Sequence, residues 1–152
     1  MSLDMGTSDA VCDAVDRDRL LRTAVELVDI PSPTRSALQV ADHLATLLGD
    51  AGFEVSREAA GWPDSPAVIA RMPTGRPGRT LQFNGHLDTV HLPFVPARVE
   101  DGKLYGSGAS DMKGGLAAAV EAMLLLRDTD LLPGGSILLT AHDLHESPWG
   151  DG

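Results

Sequence analysis

The chain has 152 residues, of which 43% are hydrophobic and 22% are charged, a composition typical of one globular domain. Its formal net charge is −10, which argues against nucleic acid and anionic membrane surfaces as partners, because both require clustered Lys and Arg. The single cysteine, Cys12, excludes an internal disulfide. A chain with so little cysteine suits a reducing compartment, and we expect a cytoplasmic protein.

The first residues and the longest apolar stretch predict neither a signal peptide nor a membrane span. The first ten residues, MSLDMGTSDA, lack the basic and apolar regions of a signal peptide. We expect residues 1–8 to be a leader or a disordered segment. The longest strongly apolar stretch, residues 116–126, is too short to span a bilayer.

Two helices are predicted in the first third of the chain. Apolar residues at helical spacing predict one helix over residues 10–29, which Pro31 and Pro33 end. Ser36 is predicted to cap a second helix, and Gly52 is predicted to close it.

Strands dominate the middle of the chain, and a helix and a last strand follow them. A hairpin is predicted over residues 98–105, with its turn at Asp101-Gly102. A glycine-rich loop at 106–110 precedes a helix over 112–127, which is apolar almost all round and should be buried. Strands are predicted over residues 53–55, 67–72, 80–85 and 136–141. This order predicts an α/β sheet covered by helices, with its functional groups at the carboxyl ends of strands.

Three clusters of residues could carry chemistry, and the first is His86-Leu87-Asp88 after the strand 80–85. Residues two apart in an extended segment point the same way, so Asp88 could orient the imidazole of His86 or of a nearby histidine. A surface turn that happens to contain both residues is the simpler alternative.

The second cluster is the glycine-rich loop and the helix start, GSGASDMKGG, at residues 106–115. Asp111 lies at the predicted helix start, where a carboxylate is favoured by the helix dipole and is well placed to bridge two cations. It could instead be only a helix cap. A phosphate loop is a further alternative, but the stretch lacks both the third glycine of the dinucleotide pattern and the Gly-Lys-Ser/Thr of a P-loop.

The third cluster, His142-Asp143-Leu144-His145-Glu146, follows the strand 136–141 and is dense in metal-ligand residue types. A charged exit from a strand is the alternative. The three clusters together form an ordered set that is far more specific than any one of them.

This set resembles the co-catalytic zinc metallopeptidases and deacylases that include acetylornithine deacetylase, succinyl-diaminopimelate desuccinylase, aminoacylase and glutamate carboxypeptidase. The stretches FNGHLDTV (83–90) and LYGSGASDMKGGLAA (104–118) carry the resemblance, which extends from about residue 19 to residue 152. It implies a central mixed sheet flanked by helices, in a truncated zinc-peptidase-like catalytic domain. Residues 1–152 would be the N-terminal portion of that domain, without its C-terminal part and its lid or dimerisation domain.

The resemblance also implies roles for individual residues. His86 corresponds to a ligand of one metal, Asp88 to the acid that orients it, and Asp111 to the carboxylate that bridges both metals, followed by a cis peptide bond. Glu146 corresponds to a ligand of the second metal. Zinc would occupy the two positions, with cobalt or manganese as alternatives.

The chain departs from the family where two adjacent glutamates are expected, because the pair here is His145-Glu146. His145 occupies the place of the general base, a role that histidine chemistry permits. A shifted register would make Glu146 the base, and Asp143 is a third candidate. Only three ligands for two metals remain, since a further acid and a distant histidine of the family have no counterpart here.

These observations favour a metal-dependent amidohydrolase that acts on N-acyl amino acids or small peptides, with a homodimer as an expected assembly. The 152-residue chain alone is expected to be an incomplete and inactive fragment. The alternative is a catalytically dead fragment, or pseudo-enzyme, that binds metal or a partner. A nucleotide-binding domain that uses the 106–110 loop is a weaker alternative.

Overall fold

The computed structural model describes residues 11–59, 61–90 and 92–146, and the expectation for residues 1–8 lies outside this range. The helices are α1 (Arg17–Asp29), α2 (Leu38–Asp50) and α3 (Gly114–Thr129), and a short kinked turn, Ala109–Lys113, leads directly into α3. The strands are β1 (Glu54–Glu58), β2 (Ala67–Pro73), β3 (Thr80–His86), β4 (Arg98–Glu100), β5 (Lys103–Tyr105) and β6 (Ser136–His142).

The main sheet is mixed, as predicted. Its strand order is β1-β2-β6-β3, and β3 pairs with β6 in parallel while the other pairs are antiparallel. The parallel register places His86 opposite His142. The carboxyl ends of β3 and β6 therefore lie side by side at one edge of the sheet, so the segments that follow them meet there.

The core lies between this sheet and the helices. Alternate residues of β6, Ile137, Leu139 and Ala141, are fully buried, as the two-residue period of a strand requires. They belong to one cluster with α1, α2 and α3, whose buried members include Leu27, Leu44, Leu48, Leu116 and Met123. Burial of each leucine stabilises the fold by about 1.5–3 kcal/mol relative to exposure.

An ion pair between the half-buried Arg19 and the buried Glu121 joins the start of α1 to the middle of α3. The carboxylate of Glu121 accepts hydrogen bonds from Arg19 Nε at 2.7 Å and Nη2 at 2.9 Å. It also accepts one from the backbone N–H of Asp16 at 2.9 Å. These donors satisfy a charge that would otherwise be costly to bury, and they fix α1 against α3.

Several predicted boundaries were wrong. The predicted helix over residues 10–29 is interrupted, because residues 11–13 are helical but residues 14–16 are not, and α1 begins at Arg17, where the extended Asp16 caps it through Arg19 N. Ser36 does not cap the second helix, whose N-cap is Ala37 without a side-chain hydrogen bond. The predicted turn at Asp101-Gly102 is confirmed, with positive φ at both residues.

The remaining differences also have local causes. Helix α3 begins at Gly114 rather than at Met112, since Asp111 and Met112 have non-helical backbone angles and are joined by a cis peptide bond. The predicted burial of this helix holds for most of its length, although Ala118 is exposed. Strand β1 is longer than residues 53–55 because its exposed outer half pairs with β2 without an apolar pattern.

Lys113 is fully buried at the end of the kinked turn Ala109–Lys113. Its ammonium group donates a hydrogen bond of 2.7 Å to the carbonyl oxygen of Ile30, and so ties this turn to the end of α1. Burial lowers the pKa of Lys113 from 10.5 to about 8, because the charged form loses its hydration.

This lowered pKa makes the stability of the fold depend on pH. The unfolded chain binds the Lys113 proton more tightly than the folded chain, so the charged lysine destabilises the fold fully below pH 8. The effect fades as the pH rises from about 8 to 10.5. We expect the free energy of unfolding of Lys113→Met, minus that of the unmodified chain, to fall by about 3 kcal/mol over this interval.

Urea unfolding at several pH values between 7 and 10.5 measures this difference, and subtraction removes the titration of all other groups. Lys103→Met, at an exposed position of the β4–β5 hairpin, is the matched control and should show a flat difference. A flat difference for Lys113→Met as well would contradict the assignment.

Candidate metal centre

The start of α3 reaches the end of β3 because Gly85 has no side chain. A Cβ at this position would lie 2.8 Å from Leu116 Cδ2 and 2.8 Å from Met112 Cε. The glycine therefore permits the close approach that brings Asp111, in the turn before α3, to the last residue of β3. This contact combines a sheet residue and a residue before a helix in one site.

The imidazole of His86 is buried at the centre of the site. Its Nδ1 lies 2.9 Å from the backbone carbonyl oxygen of Asp88. Its Nε2 lies 3.0 Å from Asp111 Oδ1 and 3.7 Å from Glu146 Oε1. When Nδ1 donates its proton to the carbonyl oxygen, Nε2 presents a lone pair to the two carboxylates, as a metal-binding histidine does.

The carboxylate of Asp88 is fully buried and has several partners. It accepts hydrogen bonds from Thr34 Oγ1 at 2.8 Å, from Glu146 N at 2.9 Å and from His145 N at 3.3 Å. Its Oδ1 lies 3.4 Å from His86 Nδ1, whereas the backbone carbonyl oxygen of Asp88 lies only 2.9 Å from the same nitrogen. In this geometry the Asp88 carboxylate mainly holds the backbone of residues 145 and 146.

His145 and Glu146 both lie next to His86. The imidazole of His145 stacks on that of His86, with ring centroids 4.3 Å apart and an interplanar angle of 17°. His86, His145 and Glu146 each offer a ligand atom within 4.8 Å of the others. The structure thus brings together five of the residues that the sequence singled out, which are His86, Asp88, Asp111, His145 and Glu146, while their individual roles stay predictions.

Asp143, the third residue considered as a general base, uses its carboxylate elsewhere. It accepts hydrogen bonds from the backbone N–H groups of Arg35, at 3.0 and 3.2 Å, and of Leu144. These bonds anchor the segment after β6 to the loop between α1 and α2. In this arrangement the Asp143 carboxylate holds the loop in place.

Sequence reasoning missed the residues that support this edge from the loop between α1 and α2. Thr34 donates to Asp88, and the hydroxyl of Ser32 donates to the carbonyl oxygen of Leu87 at 2.8 Å. The backbone N–H of Thr89 donates to the carbonyl oxygen of Ser32 at 2.9 Å. In the sequence, Ser32 and Thr34 are two hydroxyl residues next to Pro31 and Pro33. This local pattern gives no information about hydrogen-bond partners more than fifty residues away.

Three backbone amides in the glycine-rich loop and the turn after it already have partners within the protein, whereas a phosphate loop needs free amides. The N–H groups of Ser107, Ala109 and Lys113 donate to the carbonyl oxygens of Val95, Gly106 and Gly108, at 2.9, 3.2 and 2.9 Å respectively. The loop instead closes on itself and on the segment before the hairpin.

The donor set fits a zinc ion. In a tetrahedral site with bonds of about 2.1 Å, neighbouring ligand atoms are about 3.4 Å apart. The distances of 3.0 and 3.7 Å from His86 Nε2 to the two carboxylates bracket this spacing. The Asp111 side chain is 74% exposed, so its second oxygen is accessible to another cation. Imidazole together with carboxylates is the ligand chemistry that zinc, cobalt and manganese accept.

No helix in residues 11–59, 61–90 or 92–146 is long and apolar enough to cross a membrane. Residues 82–143 match the family described as Peptidase family M20/M25/M40. This stretch contains His86, Asp88 and Asp111.

Curated relatives match a larger part of the chain. Succinyl-diaminopimelate desuccinylase from Methylobacterium radiotolerans is 41% identical over 145 residues, which cover 86% of this chain and 36% of the relative. The same enzyme from Roseobacter denitrificans is 36% identical over 153 residues, with coverage of 91% and 37%. The chain therefore spans little more than a third of the length of these relatives.

A solved structure supports the same relationship. Aminopeptidase PepT from Bacillus cereus superimposes with a TM-score of 0.76 at 26% identity, over 88% of this chain and 38% of that one. By these matches of sequence and structure, the chain belongs to the M20 peptidase family.

Proposed function

We propose that the protein containing this chain is a metal-dependent amidohydrolase, a deacylase or peptidase that cleaves the amide bond of N-acyl amino acids or small peptides. The observation that supports the proposal is the meeting of the buried His86 imidazole with the carboxylates of Asp111 and Glu146. Relatives named desuccinylase and aminopeptidase agree with hydrolysis of an amide bond. We also propose that the protein is cytoplasmic and forms a homodimer, as expected from the sequence.

Zinc is the proposed metal, with His86, Asp111 and Glu146 as its ligands from this chain and Asp111 shared between two ions. A bound metal ion polarises an amide carbonyl and lowers the pKa of a water molecule. Catalytic zinc usually has three protein ligands, so three ligands shared by two ions leave each ion short. We therefore propose that further ligands complete the site and that residues 1–152 alone hydrolyse little or no substrate.

The protein's own residues have separate tasks in this scheme. His145 is the proposed base, because its imidazole lies against His86 and can accept the proton of the attacking water. Asp88 is a positioning residue that holds the backbone N–H groups of residues 145 and 146. The shifted register makes Glu146 the base and another residue the ligand.

A metal-binding module without catalysis is the second candidate. It is favoured by one observation, that His145 joins His86 and Glu146 in a group of three potential ligands. If all three bind one ion, none of them is free to accept a proton. The variants below separate the two candidates.

Substitutions at residues 145 and 146 distinguish a ligand from a base. We expect Glu146→Ala to lower both zinc content and kcat, because a lost carboxylate weakens the site. We expect His145→Ala to keep its zinc and to lower kcat by about 10²- to 10⁴-fold, the usual contribution of a positioned proton acceptor. Zinc stoichiometry and hydrolysis of N-acyl amino acids measure both effects in the protein containing this chain.

His43→Ala is the matched control, since His43 lies on α2 and pairs with Glu26 at 3.2 Å, away from the site. Zinc kept but kcat lowered in Glu146→Ala, together with an unchanged kcat or altered zinc binding in His145→Ala, would support the shifted register. Loss of zinc in both variants, without hydrolysis by the unmodified protein, would favour the metal-binding module.

The hydroxyl of Thr34 tests the positioning role of Asp88. Thr34→Val keeps the shape of the side chain but removes the donor that Asp88 uses at 2.8 Å. We expect zinc affinity to fall by about 10- to 100-fold, the usual cost of losing support behind a ligand. Thr34→Ser should restore the affinity, because it restores the hydroxyl.

Equilibrium zinc titration measures this effect, and urea unfolding measures stability in parallel. Thr23→Val changes another buried threonine, on α1, and should leave zinc affinity unchanged. Normal zinc affinity in Thr34→Val would show that Asp88 does not act on the ligands through this contact.

A further inference from the structure

A cavity of about 610 Å³ opens directly beside the candidate metal centre. Its volume lies within the roughly 300–1,000 Å³ typical of small-molecule sites. Asp111 and Glu146 line one part of it, and the remaining lining includes Val90, Leu92, Val95 and Tyr105. The two proposed ligands are thus shared between the metal centre and this cavity.

The wall of the cavity is held by specific contacts. Val95 and Ser107 exchange two hydrogen bonds, from Ser107 N to Val95 O at 2.9 Å and from Val95 N to Ser107 Oγ at 2.9 Å. A Cβ at Gly108 would lie 2.7 Å from Thr89 Cγ2, so the glycine lets the loop lie close to the segment after β3. The cavity is therefore formed by the folded loops themselves.

Most of the lining is apolar, and its charged groups are the Asp111 and Glu146 carboxylates near the metal centre and the guanidinium of Arg98. Val90, Leu92 and Val95 are 47%, 72% and 54% exposed, so much apolar surface faces solvent. Among the described lining residues, the positive charge is carried by Arg98. Its guanidinium forms an ion pair with Glu100 and lies 4.7 Å from the centre of the Tyr105 ring. The charge of Arg98 is already compensated by Glu100, so it does not favour an anionic group of a ligand. An apolar group of a ligand would instead bury its own apolar surface together with that of the cavity wall.

We propose that this cavity binds the apolar acyl chain or side chain of the substrate, and that it places the scissile amide at Asp111 and Glu146. This inference rests on the proposed function and narrows its substrate class. A succinyl group, which the names of the curated relatives mention, carries a carboxylate that this wall does not favour. The protein should therefore prefer amides with an apolar group over amides with an anionic one.

Two small amides test this preference directly by binding. Hexanamide has an apolar tail, whereas succinamate has a carboxylate on its chain. Both are titrated into the protein as purified, with the methyl NMR signals of Val90, Leu92 and Val95 as probes. Salt at about 0.5 M shortens the Debye length to a few Å, and so removes the long-range repulsion by the net negative charge.

We expect hexanamide to shift these methyl signals and to bind at least tenfold more tightly than succinamate. Leu92→Asp should weaken hexanamide binding at least fivefold, and the high exposure of this side chain allows the variant to fold. Leu81→Asp, at an exposed position of β3 outside the cavity, is the control and should bind hexanamide normally. Equal or tighter binding of succinamate would overturn the proposal, and so would hexanamide binding that leaves these three methyl signals unchanged.

Acetohydroxamate binding to the zinc-loaded protein tests the metal centre separately, because this probe has almost no apolar tail. Loss of acetohydroxamate binding together with a normal hexanamide response would overturn the proposed function and keep the apolar cavity. Acetohydroxamate binding without a hexanamide response would keep the metal centre and overturn the cavity.

Discussion

The hydrogen bonds of the buried Asp88 carboxylate are the interaction on which the candidate site depends. They join the loop after α1, the exit of β3 and the exit of β6, through Thr34, Asp88 itself and the N–H groups of residues 145 and 146. A carboxylate without solvent is costly unless its lone pairs are used. Because burying the Asp88 carboxylate without these bonds would be unfavourable, the three segments must fold together. Their shared hydrogen bonds also set the position of Glu146 relative to His86.

The sheet and α3 supply the rest of the geometry. Parallel pairing of β3 with β6 places their exits side by side, and the missing side chain of Gly85 lets the residues before α3 approach. His86 thus comes from a strand end, Asp111 from a turn and Glu146 from a loop. Each of the three has a different structural reason for its position, and the apolar cavity lies next to two of them.

Much of this arrangement could be predicted from the sequence. The strands and their shared functional edge follow from apolar runs that stop at glycine or at charged residues, and the stretches around His86 and Asp111 are specific enough to indicate the family. The start of α1 was missed because apolar spacing continues through Val11 and Val15, whereas the backbone breaks where Asp16 caps the helix. Thr34 could not be found, since a hydroxyl that serves a carboxylate 54 positions away leaves no local pattern. The stacking of His145 on His86 is likewise a product of tertiary packing alone.

Crystals of the zinc-loaded protein containing this chain, measured at the zinc absorption edge, test the central claim most directly. The account predicts an anomalous difference peak at about 2.0–2.2 Å from both His86 Nε2 and an Asp111 carboxylate oxygen, with Glu146 in contact with the same ion or with a second one. Zinc bound elsewhere, with His86 Nε2 still hydrogen-bonded directly to Asp111, would contradict it.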